Sequence, residues 1–165
     1  MWTNIRLLFL GAVCSLFFVR ADAAEVKPRC AEASRDCMIQ AATSYLDGIT
    51  HADGSNVLLA PNVRRTVQGG KFVTEGAEAI RKGLSGEPPM SGRSNTRFFI
   101  DATTHNVIAF TLLHVTANLG TGKPAVVHLV ERFKVERGLI EEIEGIFSNE
   151  EGVSEGNSGW PDDTE

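Results

Sequence analysis

Basic charge is in short supply in this chain: 16 Lys and Arg face 21 Asp and Glu, for a net charge of −5. That balance argues against nucleic acid as a partner, because affinity for a phosphate backbone comes from Lys and Arg. Cysteine is also sparse, with three residues, and the four histidines are scattered without the ligand spacing of a zinc site. No metal is expected. Neither Gly-x-Ser-x-Gly nor a glycine-rich phosphate loop occurs, and the Ser-Gly pairs at Ser85, Ser91 and Ser158 fall in predicted loops or the tail. No cofactor is expected either. Internal repeats are absent, and after residue 19 no apolar run approaches the ~20 residues that cross a bilayer.

What is present at the N-terminus sets the expected compartment. Arg6 precedes an apolar run of 13 residues, Leu7 to Val19, and Ala21-Asp22-Ala23 places small residues where a signal peptidase reads. Residues 1–23 therefore read as a signal peptide, and the chain as secreted or periplasmic, with no membrane span after cleavage. Processing leaves 142 residues, enough for one domain with a substantial core. The acidic segment 149–165 carries Glu150, Glu151, Glu155, Asp162, Asp163 and Glu165 without a base. It has little to bury and reads as a disordered tail.

Cleavage leaves two thiols, Cys30 and Cys37, in a compartment where disulfides persist. On one continuous helix they would lie about 10 Å apart from the ~1.5 Å rise per residue, beyond the ~7 Å reach of a disulfide. A bridge thus requires Cys30 to precede the helix, with Ser34 as N-cap and Cys37 in the first turn. Closing so short a loop contributes roughly 2.5 kcal/mol by chain entropy.

Met38, Ala41, Ala42, Tyr45, Leu46 and Ile49 recur at helical spacing and define one apolar face. His51 to Ser55 reads as a bend, Asn56 to Ala60 as a short second helix closed by Pro61-Asn62, and Val63 to Val67 as a strand. Gly69-Gly70 turns the chain into a second strand, Lys71 to Thr74. Thr74 is the predicted cap of a third helix, Glu75 to Leu84, burying Ala77, Ile80 and Leu84. After a Gly-, Pro- and Ser-rich loop from Ser85 to Asn95 the period changes. Arg97–Asp101, Val107–Ala117, Pro124–Glu136 and Leu139–Ser148 are rich in Val, Ile, Leu, Phe and Thr and read as four antiparallel strands, with Gly145 and Ala117-Asn118 as candidate bends. The class is α+β: a curved antiparallel sheet of about six strands wrapped over three helices.

The series Tyr45-Leu-Asp, His51, Asp53 and Leu59-Ala-Pro-Asn-Val-Arg64 in this layout resembles the nuclear transport factor 2-like superfamily, which includes ketosteroid isomerases and polyketide cyclases. The likeness is greatest to small secreted members and runs from Cys30 to Ser148, within a domain bounded at 24–148. It implies a cone-shaped, cystatin-like roll around a pocket, and a homodimer through the outer sheet face. By the resemblance Tyr45 matches the helix tyrosine that donates to a developing enolate oxygen. Val67 and Leu129 fall where the isomerases place their general base and a second oxyanion donor, which argues against that catalytic set.

Other groups offer themselves in its place. Strand alternation groups Phe110, Leu112, His114 and Thr116 on one face, and Leu129, Glu131 and Phe133 on one face of the next strand. If Leu129 faces the cone, as the resemblance implies, Glu131 does too, and His114 and Glu131 are expected beside Tyr45 as an imidazole–carboxylate base. His51 and Asp53 are expected at the pocket mouth, although Asp53-Gly54-Ser55 is also ordinary turn chemistry. Arg64 and Arg65 point to opposite faces, and an inward arginine suits an anionic group. Phe110, Phe133 and Phe147 complete the candidate lining. Two functions follow from different classes. One is a cofactor-free isomerase, cyclase or dehydratase acting on a small apolar carbonyl compound; the other is a non-catalytic extracytoplasmic binding or interaction domain.

Overall fold

The computed structural model describes residues 34–86, 90–116 and 122–153. The expected signal peptide, Cys30 and the tail from residue 154 lie outside the described residues. Ser34 caps helix α1, Arg35–His51, its Oγ accepting from the Cys37 amide at 3.3 Å. That bond satisfies one of the amides a helix start leaves open. Cys37 is buried in the first turn, and Met38, Ala41, Ala42, Tyr45, Leu46 and Ile49 form the buried face below it. Ala52 ends the helix at φ 52, its N–H returning to the Gly48 and Ile49 carbonyls.

The second helix expected at Asn56–Ala60 does not form. A turn at 55–56 leads into strand β1, Leu59–Val67, with Val57, Leu58 and Leu59 all buried. So short an apolar run carries no period that separates a helix from a strand, and its backbone is claimed by other elements. The Leu58 amide donates to Ser44 Oγ at 3.1 Å, and its carbonyl accepts from Ile140 at 2.8 Å. Pro61 and Asn62 sit within β1, where its register with the neighbouring strand breaks between Leu59 and Arg64. A residue without an N–H is tolerated there because no ladder bond is required.

The remaining elements are β2 (Phe72–Glu75), α2 (Ala77–Gly86), β3 (Gly92–Asp101), β4 (Asn106–Val115), β5 (Ala125–Glu136) and β6 (Leu139–Glu151). Thr74 belongs to β2 and does not cap α2; the Gly76 carbonyl, at φ 85, accepts from Ile80 instead. The strands form one curved, unclosed sheet in the order β2-β1-β6-β5-β4-β3. Neighbours are antiparallel except β1 and β6, which run parallel. The architecture is therefore α+β as expected, but the sheet is mixed and the described residues hold two helices. Register shifts fall at Leu59/Arg64, Ser94/Arg97 and Lys134/Val135, whereas Gly145, an expected bend, pairs regularly with Glu131.

Both helices pack on one face of the sheet, and the core lies between: Met38, Tyr45, Leu46, Val63, Phe133, Ile140 and Ile143 are each almost wholly buried. The opposite face exposes Phe99, Ile108, Phe110 and Ile146. The loop after α1 is pinned to α2 at Gly54, whose amide donates to Ser85 Oγ at 3.0 Å. A Cβ there would stand 2.6 Å from Arg81 Cα, so backbone would have to move. Gly54→Ala is expected to cost about 1–3 kcal/mol, as overpacking does, read as a lower denaturant midpoint. An unchanged midpoint would show that the two helices separate freely at this contact.

Candidate ligand cavity

The two helices do not fill the space above the curved sheet. They leave a cavity of about 390 Å³ walled by Tyr45 and Ile49 of α1, Ile80 and Leu84 of α2, and Arg65, Leu129, Glu131 and Phe147 of the sheet. Tyr45 packs edge-on against Phe133 at a ring separation of 5.4 Å. Phe133 itself is fully buried behind the wall. A wider hollow of about 730 Å³ lies beside β1 and β6, with Arg132, Glu142 and Glu144 on its walls. Its central charges already answer one another: Arg132 Nε reaches Glu144 at 3.1 Å and its Nη2 reaches Glu142 at 3.0 Å. The smaller cavity is where chemistry is left unsatisfied.

Glu131 is the carboxylic acid of that cavity, 1% exposed, and its Oε2 has no hydrogen-bond partner among the described residues. Burial in this apolar setting raises its pKa to about 7, an effect that the positive charge of Arg65 partly offsets. Room for the carboxyl comes from the adjacent strand. Glu131 stands opposite Gly145, and a Cβ at that position would lie 3.0 Å from Glu131 Oε1 and 3.3 Å from its Cγ. The glycine thus leaves a gap that the carboxyl group occupies. Among the described residues no three His, Cys, Asp or Glu side chains converge on a point where a metal ion could be held.

A family model described as a domain of unknown function, DUF8021, matches residues 31–147. The chain belongs to the DUF8021 family. No match was found among curated proteins. In fold this DUF8021 domain is similar to an isomerase candidate from Bacillus subtilis, with TM-score 0.60 and 16% identity over 68% of this chain and 87% of the other. It is also similar to an LEH-like epoxide hydrolase from M. tuberculosis, at TM-score 0.55 and 15% identity over 68% and 84%. A nuclear transport factor 2-like protein from Burkholderia xenovorans aligns at TM-score 0.54 and 14% identity over 71% and 93%. The fold is that of the nuclear transport factor 2-like superfamily.

The DUF8021 fold brings Tyr45, Glu131, Arg65, Leu129 and Phe147 together. It does not bring His114. Glu131 pairs with Ala109 across β4 and β5, while His114 pairs with Val126, so His114 shares the parity of the exposed Ile108 and Phe110 on the outer face. Alternation within each strand was legible, but the offset between the strands was not, and a one-residue difference in phase exchanges the faces. His114 Nε2 lies 2.8 Å from Ser94 Oγ instead. Phe110 is likewise outside, edge-on to Phe99 at 5.5 Å. Val67 is buried but does not line the cavity.

His51 and Asp53, expected at the mouth, are exposed and are not lining residues. His51 Nδ1 lies 2.9 Å from the Asp47 carbonyl, and Asp53 Oδ1 accepts from the Ser55 amide at 2.9 Å. That backbone bond, with the Ser55 side chain, holds the Asp53 carboxyl below its ordinary range. His51 thus closes on the last turn of α1, and Asp53 holds the turn that follows it. Arg64 faces away from the cavity beside Glu75, at 3.4 Å. The contributions of α2 and of Asn149 to the lining went unforeseen. The apolar face of α2 was the available signal, but it reads as core until the gap beneath the helix is seen.

Proposed function

We propose that the cavity receives a small, mainly apolar molecule bearing a carbonyl group, and that Glu131 exchanges a proton with it in a cofactor-free isomerisation, cyclisation or dehydration. One observation carries the reading: a carboxyl group buried on the wall of an apolar cavity with an oxygen left unpartnered. A carboxyl group with a pKa of about 7 is present in both protonation states near neutral pH, so it can accept a proton and return it. In the proposed step Glu131 removes a proton from the carbon beside the carbonyl. The C–H electron pair forms the C=C bond, and negative charge moves to the carbonyl oxygen. Tyr45, on the same wall, is assigned as donor to that oxygen, and the positive charge of Arg65 favours the enolate. Reprotonation at another carbon completes an isomerisation.

The binding-only alternative draws on Val67 and Leu129, apolar residues where the isomerases place their general base and second oxyanion donor, with Glu131 as the one carboxylic acid among the described residues lining the cavity. Deuterium exchange beside the carbonyl of 4-phenyl-2-butanone, followed by NMR in D₂O, separates the two. The expected result is exchange above the buffer rate, rising with pH to half its maximum near 7 as Glu131 loses its proton, and falling about a hundredfold in Glu131→Gln. Binding of the ketone without exchange, or exchange indifferent to Glu131→Gln, would leave a binding domain in place of an enzyme.

A further inference from the structure

Two arginines lie side by side on β1, and the neighbouring strand treats them differently. Arg64 stands opposite Glu75 and reaches its carboxylate at 3.4 Å on the outer side. Arg65 stands opposite Thr74, and both side chains line the cavity. On its other flank Arg65 meets Ile143, which offers no acceptor. Among the described residues the Arg65 side chain makes no hydrogen bond or ion pair, and its Nε is buried without a partner. The one acid in the cavity does not complete it. Glu131 feels the arginine's charge at a distance, yet Glu131 Oε2 is also unpartnered and no ion pair joins the two.

The cavity wall therefore holds a half-buried arginine side chain whose Nε is buried without a partner, with Thr74 beside it and apolar walls beyond. A guanidinium in low-dielectric surroundings gains most from a carboxylate, which matches its fork with two parallel bonds. A wholly neutral ligand would leave the buried Nε of that group unpaired. We infer that Arg65, with Thr74, seats the carboxylate of the ligand, so that the molecules taken by this cavity are apolar oxo acids, 2-oxo acids being the simplest. The inference rests on the assignment of the cavity as the carbonyl-binding site described above. It adds the part of the molecule that assignment leaves open: an acid group at the β1 wall and an apolar body along α2.

The test compares 2-oxo-4-phenylbutanoate with its ethyl ester at pH 7, by NMR titration of the protein and by deuterium exchange at the carbon beside the ketone. The acid is expected to bind at least about tenfold more tightly than the ester, in line with a charge-assisted pair. In Arg65→Gln the acid loses its advantage over the ester, and an unchanged far-UV dichroism spectrum shows that the domain is still folded. Arg65→Lys restores part of the preference, because it keeps the charge and loses the fork. Equal affinity of acid and ester for the unaltered protein, or a preference that survives Arg65→Gln, overturns the role of Arg65. If 4-phenyl-2-butanone still exchanges through Glu131 in that case, only the acid seat is lost; if acid, ester and ketone all fail to bind, the cavity assignment falls with it.

Discussion

Phe133→Ala is expected to lower the stability of the domain by about 3–5 kcal/mol, the range for truncating a buried aromatic ring. Phe133 is fully buried on β5, paired across the strands with Val107 and Ile143, which are themselves buried. Its ring meets Tyr45 edge-on at 63°, joining α1 to the middle of the sheet. Truncation removes the apolar burial, the edge-on contact and the support behind the cavity wall. The surroundings cannot collapse freely, because the sheet is held by β4 and β6 on either side of β5. Urea unfolding followed by tryptophan-independent far-UV dichroism would read the change. A loss below about 1 kcal/mol would show that α1 settles onto the sheet without this ring, and that the cavity owes little to it.

The second large effect is a pH dependence of stability opposite in sense to that of most carboxylates. The Glu131 pKa rises from 4.5 to about 7 on folding, so between those values the folded chain binds more protons than the unfolded one. Stability contributed by the protonated form is complete below about 4.5 and is lost as pH rises through about 7. At about 1.36 kcal/mol per pKa unit the loss is on the order of 3 kcal/mol. Asp53 and Asp101 have lowered values and act in the other direction, but both are exposed and act at lower pH. Glu131→Gln removes the titration without changing the shape of the side chain. It is expected to match the unaltered protein near pH 4 and to exceed its stability by roughly 3 kcal/mol at pH 8. Parallel stability profiles for the two proteins from pH 4 to 8 would mean that water or rearrangement solvates the carboxylate.

The same residue also shows how far a single chain can be read. Glu131 follows from alternation on β5 joined to the resemblance: Leu129, Glu131 and Phe133 share a face, and the resemblance turns Leu129 towards the cone. His114 was misplaced by the same rule applied to β4, because alternation relates residues within a strand and not across two. Arg65 was reached only as one of an adjacent pair, and nothing in the local sequence says which of the two turns inward. In the sequence Gly145 reads as a candidate bend; that it leaves space for a carboxyl group depends on a register of β5 with β6 that no pattern in either strand encodes.

What the amino-acid sequence determines by itself is what short-range physics controls: the capped amphipathic helix from Ser34, the helix burying Ala77, Ile80 and Leu84, the change to β-branched strands after it, and so an α+β domain. Those features arise from backbone propensity and a repeat of 3.6 or 2 residues, and they persist wherever the segment is placed. The parallel pairing of β1 with β6, the conversion of Asn56–Ala60 from helix to turn and strand, and the meeting of Tyr45, Arg65 and Glu131 in one cavity belong to the tertiary structure. Each depends on contacts between residues far apart in the chain, where the competition for hydrogen bonds and apolar surface is decided by which segments come together.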